Sequence, residues 1–273
     1  DVGGRSTRQA LSLLDADPTV DLIVVVSKPP AEEVAARLRE DAAALATPVR
    51  FALLGPDGPD LTAAAEGAVT ALGSPWTPPR RWPAPTPPEG SYGWLRGSFS
   101  GGTLCDEAML LASAALGPLP SNIPLPGAAR LGPDLLAPDG GGGHIMVDFG
   151  DDELTRGRPH PMIDSTLRAS WLVDAAVADG GVVLLLDVVL GLGAHPDPAG
   201  DLAPALAAAH RAAERAGTDL AVVVSLSGTD GDPQGLTRQA EALAAAGASV
   251  HLSNADAART AVALLGRPTG GPR

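Results

Sequence analysis

The sequence predicts an α/β chain built from two parallel-sheet domains. Three observations carry this expectation. Short β-branched apolar runs, such as DLIVVVS (21–27) and GVVLLLDVVLG (181–191), have the length and flanks of strands buried on both faces. Ala- and Leu-rich segments of helical length alternate with those runs, which is the sign of a sheet covered on both sides. Finally, 45% of the residues are hydrophobic but only 3% are aromatic, so Ala, Val and Leu must build the core. That composition favours helices packed on Val/Leu-rich strands over a β-sandwich.

The elements follow in order. STRQALSLLDADP reads as a helix, with Ser6 as N-cap and Pro18 just past its end. DLIVVVS is the first strand. Pro29 and Pro30 open the helix AEEVAARLREDAAALA, PVRFALLG is a strand, and DLTAAAEGAVTALG is a helix interrupted by Gly67. Residues 75–91, PWTPPRRWPAPTPPEGS, are proline-rich and hold two of the four tryptophans; they read as a linker or surface arm between domains 1–74 and 92–266.

In the second half, YGWLRGSFS is a strand running into Gly101-Gly102, and LCDEAMLLASAALG a helix. A Pro/Gly loop (117–143) leads to the strand HIMVDFG. STLRASWLVDAAVAD is a helix, GVVLLLDVVLG a strand and DLAPALAAAHRAAERAG a helix. DLAVVVSLSG, GLTRQAEALAAAG, SVHLSN and ADAARTAVALLG complete the alternation, and the tail 267–273 reads as disordered. The segments beginning DVGGRSTRQALS and DFGDDELTRGRP share one order of glycine, helix, Asp and buried strand. The second carries an insert, which points to one doubly wound unit used twice.

Net charge is −13, so nucleic acid and anionic membranes are poor partners. The basic residues are almost all Arg, with Lys28 the only lysine. A single cysteine, Cys105, excludes an internal disulfide and a cysteine-rich metal site. No signal peptide is visible and no apolar run reaches the ~18 residues of a membrane span, so a soluble cytoplasmic protein is expected. The chain begins at Asp1 without methionine, and a missing upstream segment is expected.

Ligands of open α/β sheets bind beyond the carboxyl ends of the strands. Ser100, Gly101, Gly102 and Thr103 lie at such an end and open a helix. They read either as an anion cradle of backbone N–H groups or as a tight strand-to-helix turn. Cys105, one helical turn on, reads as a small buried residue. Asp151, Asp152 and Glu153 follow another strand, where they could hold Mg²⁺ through water or cap the next turn. RGRPHP (156–161) offers Arg156, Arg158 and His160 on a kinked backbone; Arg suits bidentate recognition of carboxylate or phosphate, or pairing with the neighbouring acids. His195 sits at a strand end beside Asp197. His144, after four glycines, reads as a solvated loop residue, His210 as helix surface and His251 as a strand side chain. There is no G-x-S-x-G, H-E-x-x-H or G-x-G-x-x-G.

The opening segment through VVVSKPP resembles the ligase domain of the succinyl-CoA synthetase α subunit. The region from MVDFGDDE to AVALL resembles the β subunit's carboxy-terminal ligase domain. LRGSFSGGTLCDEAMLL, SNIPL, DFGDDELTRGRPHPMIDSTLR and DVVLGLGAHPDPAG together resemble the FdrA family over nearly the whole chain. The resemblance implies two flavodoxin-like ligase domains in one chain, a CoA-binding domain upstream, and a subunit handling an acyl phosphate and a CoA thioester. Some family members are linked instead to an oxamate carbamoyltransferase of ureide breakdown; a third reading is a non-catalytic scaffold for partner subunits. The synthetase's phosphohistidine loop corresponds here to FALLGPDGPDLTAA. No histidine lies before His144, so that residue does not carry over. The chain shows no ATP-grasp domain, so any Mg-ATP step needs a partner or does not occur.

The expected substrate is a small carboxylate or acyl phosphate, in an oligomer with partner subunits. Asp151, Arg158, His160 and His195 are the expected catalytic residues. Ser100 to Thr103 and Arg156 are the expected anion binders, with no metal ligands.

Overall fold

Val- and Leu-rich runs form the strands because their stiff, branched side chains pack on both faces of a pleated sheet. The computed structural model describes residues 3–56, 58–86, 90–132 and 143–266. Asp1–Pro78 and Pro79–Arg273 form two units.

In the first unit, α1 (Arg5–Asp15), β1 (Ile23–Ser27), α2 (Glu32–Ala43), β2 (Val49–Leu53) and α3 (Leu61–Ala71) alternate as expected. The two strands pair in parallel, Ile23 opposite Val49. Leu11 of α1 and Leu38 of α2 pack with Ile23 in a small core. The cap of α1 differs from expectation. Gly4, in the left-handed region at φ 71°, precedes the helix, and Ser6 lies inside it. Glycine adopts that conformation without the steric cost a Cβ imposes.

The second unit contains β3 (Arg81–Trp82), β4 (Trp94–Phe99), α4 (Gly102–Leu116), β5 (Ile145–Asp148), α5 (Asp152–Thr155), α6 (Thr166–Ala175), β6 (Val182–Val189), α7 (Pro198–Ala216), β7 (Leu220–Ser227), α8 (Leu236–Ala245), β8 (Ala248–His251) and α9 (Asn254–Leu265). The sheet order is β3-β8-β7-β6-β4-β5, and only β3 runs antiparallel. β5-β4-β6-β7-β8 is the flavodoxin-like order of a doubly wound sheet. β3 lies inside the proline-rich segment expected as a linker: Arg81 and Trp82 pair with His251 and Val250 at the sheet edge. The fold is α/β, with two parallel-dominated sheets.

Side chains alternate across each strand, and β6 divides the core accordingly. Val182, Leu184, Leu186 and Val188 face α6, α7 and α8, with Trp171, Leu202, Leu206 and Leu243. Val183 and Leu185 face α4 and α9, with Phe99, Met109 and Ala261. Asp187 continues this second face as a fully buried carboxylate in an otherwise apolar strand. The chain leaves β4 toward β5 on one side and returns to β6 on the other. The carboxyl ends of β4 and β6 therefore flank the switch point where such sheets hold ligands. Among the described residues, no helix is long and apolar enough to cross a membrane. The expected disordered tail lies outside the described residues.

Candidate functional site

The glycine turn after β4 is filled from within the protein. The Asp187 carboxylate accepts hydrogen bonds from the Ser100 N–H (2.7 Å), the Ser100 hydroxyl (3.0 Å) and the Gly101 N–H (2.8 Å). Arg168 of α6 pairs with the same carboxylate at 2.9 Å, both side chains being essentially buried. The guanidinium also donates to the Ser98 hydroxyl (3.1 Å), the Ser98 carbonyl (2.7 Å) and the Asp187 carbonyl (2.5 Å). Burial lowers the Arg168 pKa, and the charges of Asp187 and Asp148 oppose that shift. A buried charge needs a partner and further hydrogen bonds; this pair has both. The cluster ties β4, β6 and α6 together at the switch point. Gly102 and Thr103 form the first turn of α4. Ser100 to Thr103 form a strand-to-helix turn. Its Ser100 and Gly101 donors serve Asp187 rather than an added anion.

Beside it, Asp148 ends β5. Asn122, from SNIPL, donates to the Asp148 carbonyl and accepts from its N–H, both at 2.9 Å. Asp151 caps α5 by accepting from the Glu153 N–H at 3.0 Å, while Asp152 and Glu153 are exposed on the first turn. Capping therefore accounts for Asp151. Among the described residues, no three acidic, His or Cys side chains converge as a metal site would require.

Residues 156–165, within the insert, lie at this end of the sheet. His160 points inward. A Cβ on Gly150 would lie 2.6 Å from the Ser100 carbonyl oxygen, 2.8 Å from His160 Nε2 and 3.1 Å from Asp148 Oδ1. These three atoms surround one point, and only glycine leaves room there. His160 Nδ1 accepts from the Met162 N–H at 3.2 Å. The Met162 carbonyl in turn accepts from the His195 N–H at 2.7 Å, stapling the insert to the β6–α7 loop. His195 Nδ1 accepts from the Asp197 N–H at 3.1 Å. With Nδ1 accepting, the tautomer that fits each ring carries its proton on Nε2, leaving that atom as a donor. The Asp197 carboxylate is not bound to His195. Gln239 and Arg238 hold it at 2.6 and 3.1 Å, and the Gln239 bond, foremost, lowers its pKa.

His195, Met162, Pro161, Ser165, Arg168 and Ser100 line a small cavity of about 20 Å³ at the switch point. Beyond Pro161 and Arg168, a second small cavity leads toward Arg158. Arg158, Asp164, Thr166 and Ser170 then border an open groove of about 370 Å³. The guanidinium groups of Arg156 and Arg158 are exposed, and among the described residues they make no hydrogen bond or ion pair. Pairing with the adjacent acids, one of the two sequence expectations for them, does not occur.

The structure brings Ser100, His160, His195 and Arg158 to one end of the sheet, and puts Asp151 in a cap. Cys105 is buried in α4. His144 departs from the solvated reading. Its Nδ1 accepts from the Leu95 N–H at 3.0 Å, its ring meets Trp94 edge-on, and burial lowers its pKa. His210 and His251 are likewise partly or fully buried, and burial lowers both pKa values. Asp187, Arg168, Gln234 and Gln239 were missed in the sequence. The available signal was a charged residue inside an apolar strand run, LLLDVVL, which is rare without a buried partner.

Residues 98–264, more than half of the chain, match the family model described as CoA-ligase. The chain is 34% identical over 271 residues to the uncharacterized protein YahF of Escherichia coli (strain K12), covering 90% of this chain and 51% of that protein. A crystal structure of PH0766 from Pyrococcus horikoshii OT3 aligns at 13% identity and TM-score 0.35, covering 94% of this chain and 55% of that one. The chain thus spans about half the length of the curated relative it matches. The matched segment runs from Ser98, in the buried cluster, through the insert and the His195 loop to α9. On that match, the chain belongs to the CoA-ligase family.

Proposed function

We propose that the chain is a subunit of a succinyl-CoA-ligase-like acyl-CoA synthetase of the FdrA type, and that its β4/β6 rim binds the small acyl phosphate or carboxylate. One observation carries this reading: Arg158, bordering the open groove, and Arg156, two residues before it, stand unpaired among the described residues of a chain of net charge −13. Guanidinium groups left without carboxylate partners in so acidic a protein suit recognition of a phosphoryl or carboxyl group. His195, which lines this small cavity, adds its Nε2–H as a donor for a phosphoryl or carbonyl oxygen.

The Nδ1 acceptor bond gives His195 a holding role. A neutral ring whose proton is on Nε2 has no lone pair there to attack phosphorus. This agrees with the absence of histidine from FALLGPDGPDLTAA. When bound, CoA supplies the thiol that displaces phosphate from the acyl carbon. The CoA and Mg-ATP sites are assigned to other polypeptide of the assembly, as the resemblance to succinyl-CoA synthetase implies.

The test is steady-state acyl transfer from acyl phosphate to CoA by the full-length protein with its partner chains. Arg156→Ala/Arg158→Ala raises the KM for acyl phosphate about tenfold or more, the value of a lost charge-assisted pair. Unchanged kinetics in that variant overturn the assignment. CoA-independent phosphate release from carbamoyl phosphate and oxamate replaces it with carbamoyl transfer.

A further inference from the structure

We infer that Gln234 and Gln239 are positioning residues that hold the β6–α7 loop and orient the His195 imidazole. The inference rests on the reading of His195 as an anion donor for its functional meaning, though not for its geometry.

The loop 190–197, LGLGAHPD, has little structure of its own. Gly191 and Gly193 take φ 142° and 86°, which side chains larger than hydrogen rarely adopt. Such a segment keeps one shape only if its backbone groups are bonded from outside. Gln234, 2% exposed, does this from the β7–α8 connection. Its Oε1 accepts from the Gly191 N–H (3.2 Å), and its Nε2 donates to the carbonyls of Gly191 (2.8 Å) and His195 (3.2 Å). One side-chain amide thus satisfies three backbone groups across the five residues 191–195.

Gln239, fully buried in α8, acts on the other side of His195. Its Oε1 accepts from the Ala199 N–H (2.8 Å) and its Nε2 donates to Asp197 Oδ1 (2.6 Å). Arg238 joins the two, donating to Asp197 Oδ1 (3.1 Å) and to the Gln234 carbonyl (2.7 Å). With Asp197 held by its carboxylate, its backbone N–H is aimed at His195 Nδ1. The causal chain runs Gln239, Asp197, His195 Nδ1, and its consequence is an Nε2–H on a ring that lines the switch-point cavity. A buried amide used as both donor and acceptor cannot be replaced by a carboxylate of the same shape. Gln234→Glu loses two donors, and Gln239→Glu sets a second carboxylate against Asp197.

The experiment uses the full chain, with amide exchange and long-range ¹H–¹⁵N correlation of the imidazoles, the His195 signal being assigned by its loss in His195→Gln. In the wild type, neutral His195 is the Nε2–H tautomer. In Gln234→Glu and Gln239→Glu, exchange at the His195 and Asp197 amides rises about tenfold or more, as expected for loss of one net hydrogen bond, while α7 and α8 keep their protection. The single tautomer is lost as well. An Nδ1–H tautomer in the wild type overturns the inference without any variant, so poor folding of a variant does not protect it. Unchanged exchange and tautomer in both folded variants also overturn it. Altered loop order with an unaltered response to acetyl phosphate keeps the clamp and removes the anion reading instead.

Discussion

Two clusters at the same end of one sheet have the chemistry of anion recognition, and they differ in what answers them. The Ser100-Gly101 turn meets an anion already, the Asp187 carboxylate, backed by Arg168 and closed to solvent. Arg156 and Arg158, on the insert above it, meet none among the described residues. The difference teaches that a glycine turn at a helix start identifies donors but not their acceptor. Where the fold supplies a carboxylate 87 residues away, the turn becomes a joint that fixes β4 against β6. Recognition is left to groups that folding has not consumed.

The sharpest way to break this contrast is to empty the inner cluster. Asp187→Ala leaves Arg168 buried without its partner, at a cost of about 3–5 kcal/mol in chemical denaturation. A loss below about 1 kcal/mol would mean that the turn is open to ligand after all. pH provides a second separation, because the buried end of β8 also carries a polar group. Burial holds His251 neutral, with its pKa lowered from 6.5 to about 4. The unfolded chain therefore takes up a proton that the folded chain refuses. Stability is complete above the unfolded value and falls as pH drops from 6.5 toward 4, by up to about 3 kcal/mol from this residue. His251→Gln flattens that part of the profile, whereas Arg156→Ala/Arg158→Ala leaves it unchanged.

Gly150→Ala probes the seam between the clusters. Its Cβ would strike the Ser100 carbonyl and His160 Nε2, so the insert must shift, at about 1–3 kcal/mol. A thermal melt as high as that of the wild type would show that the insert is not seated there. The smallest effect belongs to the rim. Arg156→Ala/Arg158→Ala changes stability by no more than about 0.5 kcal/mol, because exposed side chains without partners contribute little.

The sheet was legible because its strands are apolar runs such as VVLLLDVV, whose burial on both faces leaves no other reading. Helix edges were less so. α7 starts at Pro198, three residues before the expected helix, because proline is preorganised for a first helical position. β3 was invisible, since Arg81 and Trp82 become a strand only through the edge of β8. At the site, the sequence pointed to the rim residues because they are polar residues in loops. It hid the Asp187–Arg168 pair and the two glutamines, whose roles arise from contacts between distant segments. No local pattern distinguishes Gln234 in DPQGL from an ordinary turn residue until the fold brings Gly191 to its amide.

The most direct test of the account is titration of the full chain with acetyl phosphate and inorganic phosphate, followed by calorimetry and by the amide and imidazole resonances. The account predicts saturable binding that perturbs His195 Nε2–H, leaves the Ser100 and Gly101 amides in place, and weakens about tenfold or more in Arg156→Ala/Arg158→Ala. Equal affinity in that variant, or a response centred on Ser100 and Gly101, would contradict it by placing the anion in the turn that Asp187 fills.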